Sequence, residues 1–378
     1  MKIKSIEPTP SPNVMKLNMD EALPEGVARN FTREKQENAP DYIQQLLAVN
    51  GVQGVFQVGD FISVERHPKA DWKEVIAHIE QIFGKKTSHT AGADGSPAAS
   101  FGEVQVLIQK FKGIPIQIKL VADAEEMRFG LPPRFSEAVM KVQKASQNYI
   151  LERIWDEQGV RYGTFKEIGE EVGEELAAAY DNERLGQLIA QATEGEAAEE
   201  KIEAPLPAQQ VSDMMEHPDW EKRFAALDRM NPTVEDIPVL AKALNDPKTS
   251  IRRLATVYLG MISKPEVLPH LFMALKDKSA VVRRTAGDAL SDIGDPLATG
   301  PMADALADPN KLVRWRAARF LFEVGEPSAI PALLKAQHDP EFEVSLQAKM
   351  ALERIESGEA ASGTVWQQIS RSMAKPEN

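Results

Sequence analysis

The sequence predicts a multidomain chain in which two small α+β domains precede an all-α repeat solenoid. Three observations carry this. The chain has 378 residues, more than one hydrophobic core ordinarily organises. Two stretches lack any apolar period, KKTSHTAGADGSPAAS (85–100) and ATEGEAAEEKIEAPLPAQQ (192–210), and read as linkers because small and polar residues bury too little surface to order a chain. Finally, Asp246, Asp277, Asp308 and Asp339 recur every 31 residues, a period that signals stacked helical pairs. The expected boundaries are 1–84 and 101–190 for the α+β domains, 85–100 and 191–210 for the linkers, 211–356 for the repeats and 357–378 for a loose tail.

In the first domain, IKSIEP and VMKLNM read as short strands around a turn built on Pro8, Pro10 and Pro12. Proline has no amide hydrogen and a fixed φ, so the three are expected to hold an extended loop outside the ladder. GVQGVFQVGDFISVERH reads as a hairpin with Gly59-Asp60 near its bend, by alternation and turn chemistry. Asp71 and Glu74 then stand at capping-box spacing before a helix whose Trp72, Val75, Ile76, Ile79 and Phe83 make one apolar stripe.

In the middle domain, FGEVQVLIQKF and IPIQIKLVAD alternate on either side of Lys112-Gly113, as a hairpin requires. PPRFSEAVMKVQKA reads as a helix with Phe135, Val139 and Val142 on one side. YILERIWDEQGVRYGTF is expected to be a second hairpin, turning at Glu157 to Gly159, followed by a helix capped by Thr164 and Glu167 and running through Leu176 and Tyr180.

The third part aligns with itself: LNDPKTSIRRLA, LKDKSAVVRRTA, LADPNKLVRWRA and AQHDPEFEVSLQA, with EHPDWEKRFAAL as an irregular first copy. Each helical pair alone leaves an apolar face that the next pair covers.

Several of these pieces resemble known families. PTPSPNVMKL, with GVQGVFQVGDFISVER and DWKEVIAHI after it, is similar to the N-terminal domain of Nfu-type iron-sulfur scaffold proteins over residues 1–84. Members of that family hold their cluster through a Cys-x-x-Cys in a separate C-terminal domain, which this cysteine-free chain lacks, so cluster scaffolding is not carried over. The Asp-Pro turn followed by an apolar-Arg, Ala-rich helix resembles HEAT-like repeats of the phycobilisome-lyase type. Some HEAT-like hydroxylases hold iron through His-Glu dyads, and this array has none. The order of the three parts resembles the conserved virulence factor C family, which implies a regulatory or assembly role without naming a reaction.

Composition narrows the chemistry. Without cysteine there are no disulfides, thiolate nucleophiles or zinc-thiolate sites. A net charge of -13 argues against nucleic acid and anionic lipid as partners. No apolar run spans a bilayer and the N-terminus lacks a signal-peptide core, so the expected setting is cytoplasmic. Six histidines fall at positions 67, 78, 89, 217, 270 and 338 without metal-ligand spacing, and GKKTS at 84–88 lacks the upstream glycine of a phosphate loop. No metal, cofactor or catalytic residue is expected.

Two polar columns remain. Asp246, Asp277, Asp308 and Asp339 with Arg252, Arg283 and Arg314 are expected to form a structural ladder, since each Asp precedes its Arg by six residues across a helix start. One residue on stand Arg253, Arg284 and Trp315, with Arg316 and Arg319 nearby. A rotation of about 100° per residue places this column partly on the inner wall of the stack, and its residue types suit binding hot spots. A solvated helix face with one half-buried tryptophan explains it equally in kind. In the N-terminal domain, Asn13 and Lys16 are a further candidate contact pair against simple loop geometry.

The expected function is a non-enzymatic cytoplasmic scaffold that binds protein partners through its repeats. The alternative is an accessory factor in iron-sulfur or cofactor assembly that ligates no cluster itself. A third possibility, an enzyme using Tyr149, Glu152, Arg153, Trp155 and Arg161, competes with an amphipathic hairpin face and has no nucleophile-base pair.

Overall fold

The computed structural model describes residues 2–8, 13–24, 27–33, 35, 39–67, 70–83, 103–122, 125–144, 146, 148–193 and 205–358. Pro10, Pro12, GKKTS, the stretch 85–100, most of 191–210 and the tail beyond 358 lie outside the described residues. The chain divides into two compact units: Met1–Phe101 with Leu334–Met350, and Gly102–Leu333 with Ala351–Asn378.

The first unit is built on five antiparallel strands, β1 (Ile3–Pro8), β2 (Val14–Met19), β3 (Ala28–Thr32), β4 (Val52–Val58) and β5 (Phe61–Arg66), in the order β1-β2-β5-β4-β3. Helices α1 (Asp41–Ala48) and α2 (Trp72–Ile82) complete it. The register sets Leu17 opposite Ile62 and Met15 opposite Val64, so the inward alternate positions of β2 and β5 share one face. Ile43, Leu46 and Leu47 of α1 and Trp72, Val75 and Ile79 of α2 close that core. The Asp71 carboxylate caps α2, accepting from the Lys73 amide at 2.8 Å. Pro8 departs from the expectation: it pairs with Met15 in the ladder, which an edge strand tolerates because its outward N–H has no partner to lose. Strand β3 and helix α1 are further elements that the sequence reading passed over.

The second unit begins with a four-stranded antiparallel sheet: β6 (Glu103–Phe111), β7 (Ile114–Ala122), β8 (Glu125–Gly130) and β9 (Arg153–Tyr162), in the order β8-β7-β6-β9. Helices α3 (Pro133–Gln143), α4 (Phe165–Ala179) and α5 (Asn182–Thr193) accompany it. The β6-β7 bend has Lys112 at φ 49 and Gly113 at φ 77, the twin positive φ values that match strand twist. The second expected hairpin is corrected: 153–162 is one strand, paired along nearly the whole of β6. Gln105 faces Val160 while Leu107 faces Glu157, so Gln158 and Gly159 form a bulge with Gly159 at φ 78. Continuous pairing satisfies more backbone groups than a return would, and glycine supplies a bulge as readily as a turn.

The helical array follows: α6 (Ala208–Met214), α7 (Trp220–Asp228), α8 (Ile237–Ala243), α9 (Thr249–Ile262), α10 (Leu268–Ala274), α11 (Ala280–Ile293), α12 (Thr299–Ala305), α13 (Lys311–Val324), α14 (Ile330–Ala336) and α15 (Phe342–Glu356). Each repeat is a seven-residue helix, an Asp-bearing turn and a helix of 14 or 15 residues. Ile251, Val282 and Val313 are buried at equivalent places in successive copies, as are Leu259, Leu290 and Leu321. Helix α5 runs to Thr193 and α6 starts at Ala208, so helix occupies both ends of the stretch read as the acidic linker.

Candidate functional site

The repeat aspartates do two things at once. Each accepts a hydrogen bond from the amide two residues on: Lys248 to Asp246 at 2.8 Å, Ser279 to Asp277 at 2.7 Å, Asn310 to Asp308 at 2.8 Å and Glu341 to Asp339 at 2.9 Å. Asp246, Asp277 and Asp308 also receive a two-point ion pair from the preceding repeat. Arg252 reaches Asp277 through Nε at 2.7 Å and Nη2 at 3.0 Å, and Arg283 reaches Asp308 at 2.6 and 2.8 Å. Arg223, which the sequence reading left out, reaches Asp246 at 2.7 and 3.0 Å. The remaining Nη1 of each arginine donates to carbonyls at its own turn, as Arg252 does to Asp246 O and Pro247 O. Arg314 makes the same turn contacts, to Asp308 O and Pro309 O. Planar guanidinium and planar carboxylate match in geometry, so these pairs fix the angle between neighbouring repeats. Arg223 escaped notice because it lies 29 residues before Arg252, two short of the period.

The neighbouring column meets the chain's own middle domain. Arg253 Nη2 lies 3.3 Å from both oxygens of Glu175 on α4. Glu175 is also clasped from β9 by Arg161, through Nη1 at 3.2 Å and Nη2 at 2.5 Å, with Glu171 at 3.5 Å from the same guanidinium. Arg284 donates to the Tyr162 hydroxyl at 2.8 Å, and its Cζ sits 5.5 Å from the Trp315 ring. Asp288 joins Arg284 to Arg316 at 3.1 and 2.7 Å, and Arg319 pairs with Glu323 at 2.7 Å. Arg284, Trp315 and Arg319 are buried, and Arg253 and Arg316 nearly so. The expected inner-wall exposure of this column is therefore not what the structure has: its residues are buried or nearly so, with α4 against Arg253 and β9 against Arg284. Helix α4 also lies along α7, with Glu174 held by Lys248 at 2.7 Å.

Electrostatics follow from this crowding. Burial alone would raise the Glu175 pKa, but Arg253 and Arg161 outweigh it and hold the carboxyl below its ordinary value. Burial raises Glu171, which stands farther from the guanidiniums. Arg253 and Arg284 are both lowered by burial, and each is pushed further down by a second arginine, Arg161 and Arg316 respectively. Removing charge from water costs several kcal/mol per ion unless geometry and hydrogen bonds compensate.

The other candidates do not converge. Trp155 lies on the sheet face away from α4 with Lys119 Nζ 4.4 Å from its ring, whereas Arg161 points to Glu175. Arg153 stacks on Tyr149, and Glu152 pairs with Lys112 at 2.7 Å. Lys16 Nζ sits 4.9 Å from the Phe61 ring, and the Asn13 carbonyl accepts from the Arg66 amide. Among the described residues no group of three or more His, Asp or Glu could hold a metal, and no helix is long and apolar enough to cross a membrane. Within the first unit Arg66, stacked on Trp72 at 5.1 Å, pairs with Glu343 at 3.0 Å. Glu175 and Tyr162 carried no signal in the sequence, because their partners are settled only by tertiary packing, whereas Asp288 stands at i,i+4 spacing from Arg284, a local signal that the sequence reading passed over.

Comparison with known proteins matches this anatomy. The model for the scaffold protein Nfu/NifU N terminal matches residues 3–90, that for virulence factor 109–189, and that for HEAT repeats 204–291, 237–309 and 301–363. A crystal structure of protein SAV1430 from Staphylococcus aureus is 36% identical over 22% of this chain and 99% of its own, with a TM-score of 0.21. YpgR of Bacillus subtilis (strain 168) is 59% identical over the full length of both chains. The proteins called conserved virulence factor C from Staphylococcus haemolyticus and Staphylococcus aureus (strain MRSA252) are 45% and 47% identical, each covering 98% of this chain and 99% of their own. With full-length similarity at this level and the same three modules in the same order, the chain belongs to the conserved virulence factor C family.

Proposed function

We propose that this protein is a non-enzymatic cytoplasmic scaffold whose HEAT repeats bind partner proteins, in a regulatory role. One observation carries the reading: the arginines next to the structural ladder already grip a folded protein module, through Glu175 and Tyr162. A surface that recognises a carboxylate and a phenol hydroxyl by guanidinium is chemically a protein-binding surface. Cross-linking in cells followed by affinity capture of the full chain tests it. Partner cross-links on the array between Trp220 and Glu356 are expected, and partners attached solely to residues 2–83 would sink the reading.

A second reading, an accessory role in iron-sulfur assembly without cluster ligation, is favoured by the Nfu/NifU N-terminal match over residues 3–90. Equal activity of cluster-containing enzymes in cells with and without the protein would dispose of it.

A further inference from the structure

We infer that the middle domain is a releasable internal occupant of the array, an autoinhibitory latch over the Arg253–Arg284–Trp315 column. The occupant that replaces it is an acidic helical segment of a partner, with two carboxylates one turn apart and a nearby aromatic hydroxyl. The inference rests on the scaffold reading and names the regulation and partner class of the same surface.

Two independent features separate this contact from a permanent one. The first is where the apolar surface goes. Val104, Val106, Ile108, Ile118 and Leu120 close on Ile168, Val172 and Leu176 of α4, and Phe111 and Ile114 close on α3 and α5. Among the described residues no side chain of the array enters either cluster, so leaving the array does not open the middle domain's core. Beside the packing of α4 on α7, the contacts that reach this column are polar, the kind found where domains can separate.

The second is how the arginines are used. In the ladder, Arg223, Arg252 and Arg283 spend Nε and Nη2 on an aspartate and Nη1 on turn carbonyls. In the covered column, Nε of Arg253 and Nε of Arg284 are buried without a hydrogen-bond acceptor, and Nη1 of Arg284 and Nε of Arg316 meet Asp288 as an ion pair without hydrogen-bond alignment. A half-satisfied buried network stabilises its closed state less than its contact area suggests. The chemistry of the replacement is set by what it must imitate. Glu171 and Glu175 are one helical turn apart on α4, Glu175 being the carboxylate that Arg253 holds, and the Tyr162 hydroxyl meets Arg284.

The test uses the full chain and a labelled synthetic peptide copying Thr164–Tyr180, with binding read by fluorescence anisotropy. The wild type, its wall occupied, is expected to bind weakly. Neutralising the internal ligand with Glu171→Gln and Glu175→Gln is expected to raise affinity at least about tenfold, and adding Arg253→Met and Arg284→Met to abolish the gain. Tyr162→Phe removes one hydroxyl without volume and is expected to raise affinity about threefold, the worth of a modest hydrogen bond. A folded carboxylate variant that binds no better than wild type overturns the latch, as does binding that survives loss of the two arginines. Should the carboxylate variant fail to fold, unchanged affinity in Tyr162→Phe overturns it alone. Failure of the scaffold reading looks different: no partner cross-links to the array, while the opened variant still binds the peptide.

Discussion

Replacing Asp277 by Asn tests the ladder at its best-defined rung. Asn keeps the volume and can still accept from the Ser279 amide at 2.7 Å, so the change isolates charge. Arg252 is 3% exposed and Asp277 10%, and removing one partner of a buried pair typically costs about 3–5 kcal/mol because the other charge is stranded. We expect about 3 kcal/mol in urea unfolding followed by circular dichroism, with hydrogen exchange at α9 and α11 as the local readout. Exposed Asp304→Asn should change stability by less than about 0.5 kcal/mol. The double variant Asp277→Leu with Arg252→Met should recover part of the loss, since it strands no charge and leaves only the Ser279 amide and the Asp246 and Pro247 carbonyls to find new partners. Acid gives a second check. Burial pushes the Asp277 carboxyl up, but Arg252 and the Ser279 amide outweigh it, and the net pKa lies below 3.8. A group lowered in the folded state contributes its stability above the unfolded value and loses it as pH falls through the folded one. The gap between wild type and Asp277→Asn should therefore narrow below about pH 4. A loss under about 1 kcal/mol at pH 7, or a double variant as costly as the sum of its singles, would refute the stranded-charge argument.

Further outcomes follow from single features. Gly159→Ala meets nothing within 4 Å but must hold φ 78, so it should cost about 1–2 kcal/mol, whereas Gly130→Ala, equally open and without positive φ, should be neutral or stabilising by thermal melt. Thr164→Ala removes the cap that accepts from the Glu167 amide at 3.2 Å and should cost about 1 kcal/mol by urea titration. Trp72→Ala empties a fully buried position beside Arg66 and should cost about 3–5 kcal/mol. Glu171 is raised by burial. Its proton is bound more tightly in the folded chain, so ionisation opposes folding as pH climbs past about 4.5, and Glu171→Gln should flatten that decline in a pH series of melts.

What was legible in the sequence was what is local or periodic. The Thr164–Glu167 capping box needs four residues, and the structure forms it from those same atoms. The ladder was visible because Asp and Arg recur in step, and the two-residue slip at Arg223 was enough to hide the first rung. The misread segment near Gly159 fails for a definite reason: glycine at positive φ serves a bulge and a turn alike, and the choice lies with β6, some 50 residues away. Glu175 and Tyr162 stand 78 and 122 residues from Arg253 and Arg284, beyond any spacing rule.

The two arginine columns differ by a single residue in each repeat, and the helix turns that difference into two tasks. One residue of rotation is about 100°, enough to aim Arg252 at the next repeat's aspartate and Arg253 at another domain. The first column must present the same pair wherever repeats meet, since each interface repeats the one before it, and Arg223–Asp246, Arg252–Asp277 and Arg283–Asp308 do so at 2.6 to 2.7 Å. No such constraint binds the second column, which meets Glu175 at one level, Tyr162 at the next and carries Trp315 at the third. A periodic column suits a repeat's internal bond, and an aperiodic one suits the reading of a non-repetitive surface. That difference is why the proposed scaffold assigns recognition to Arg253, Arg284 and Trp315 and leaves the structural role to their neighbours.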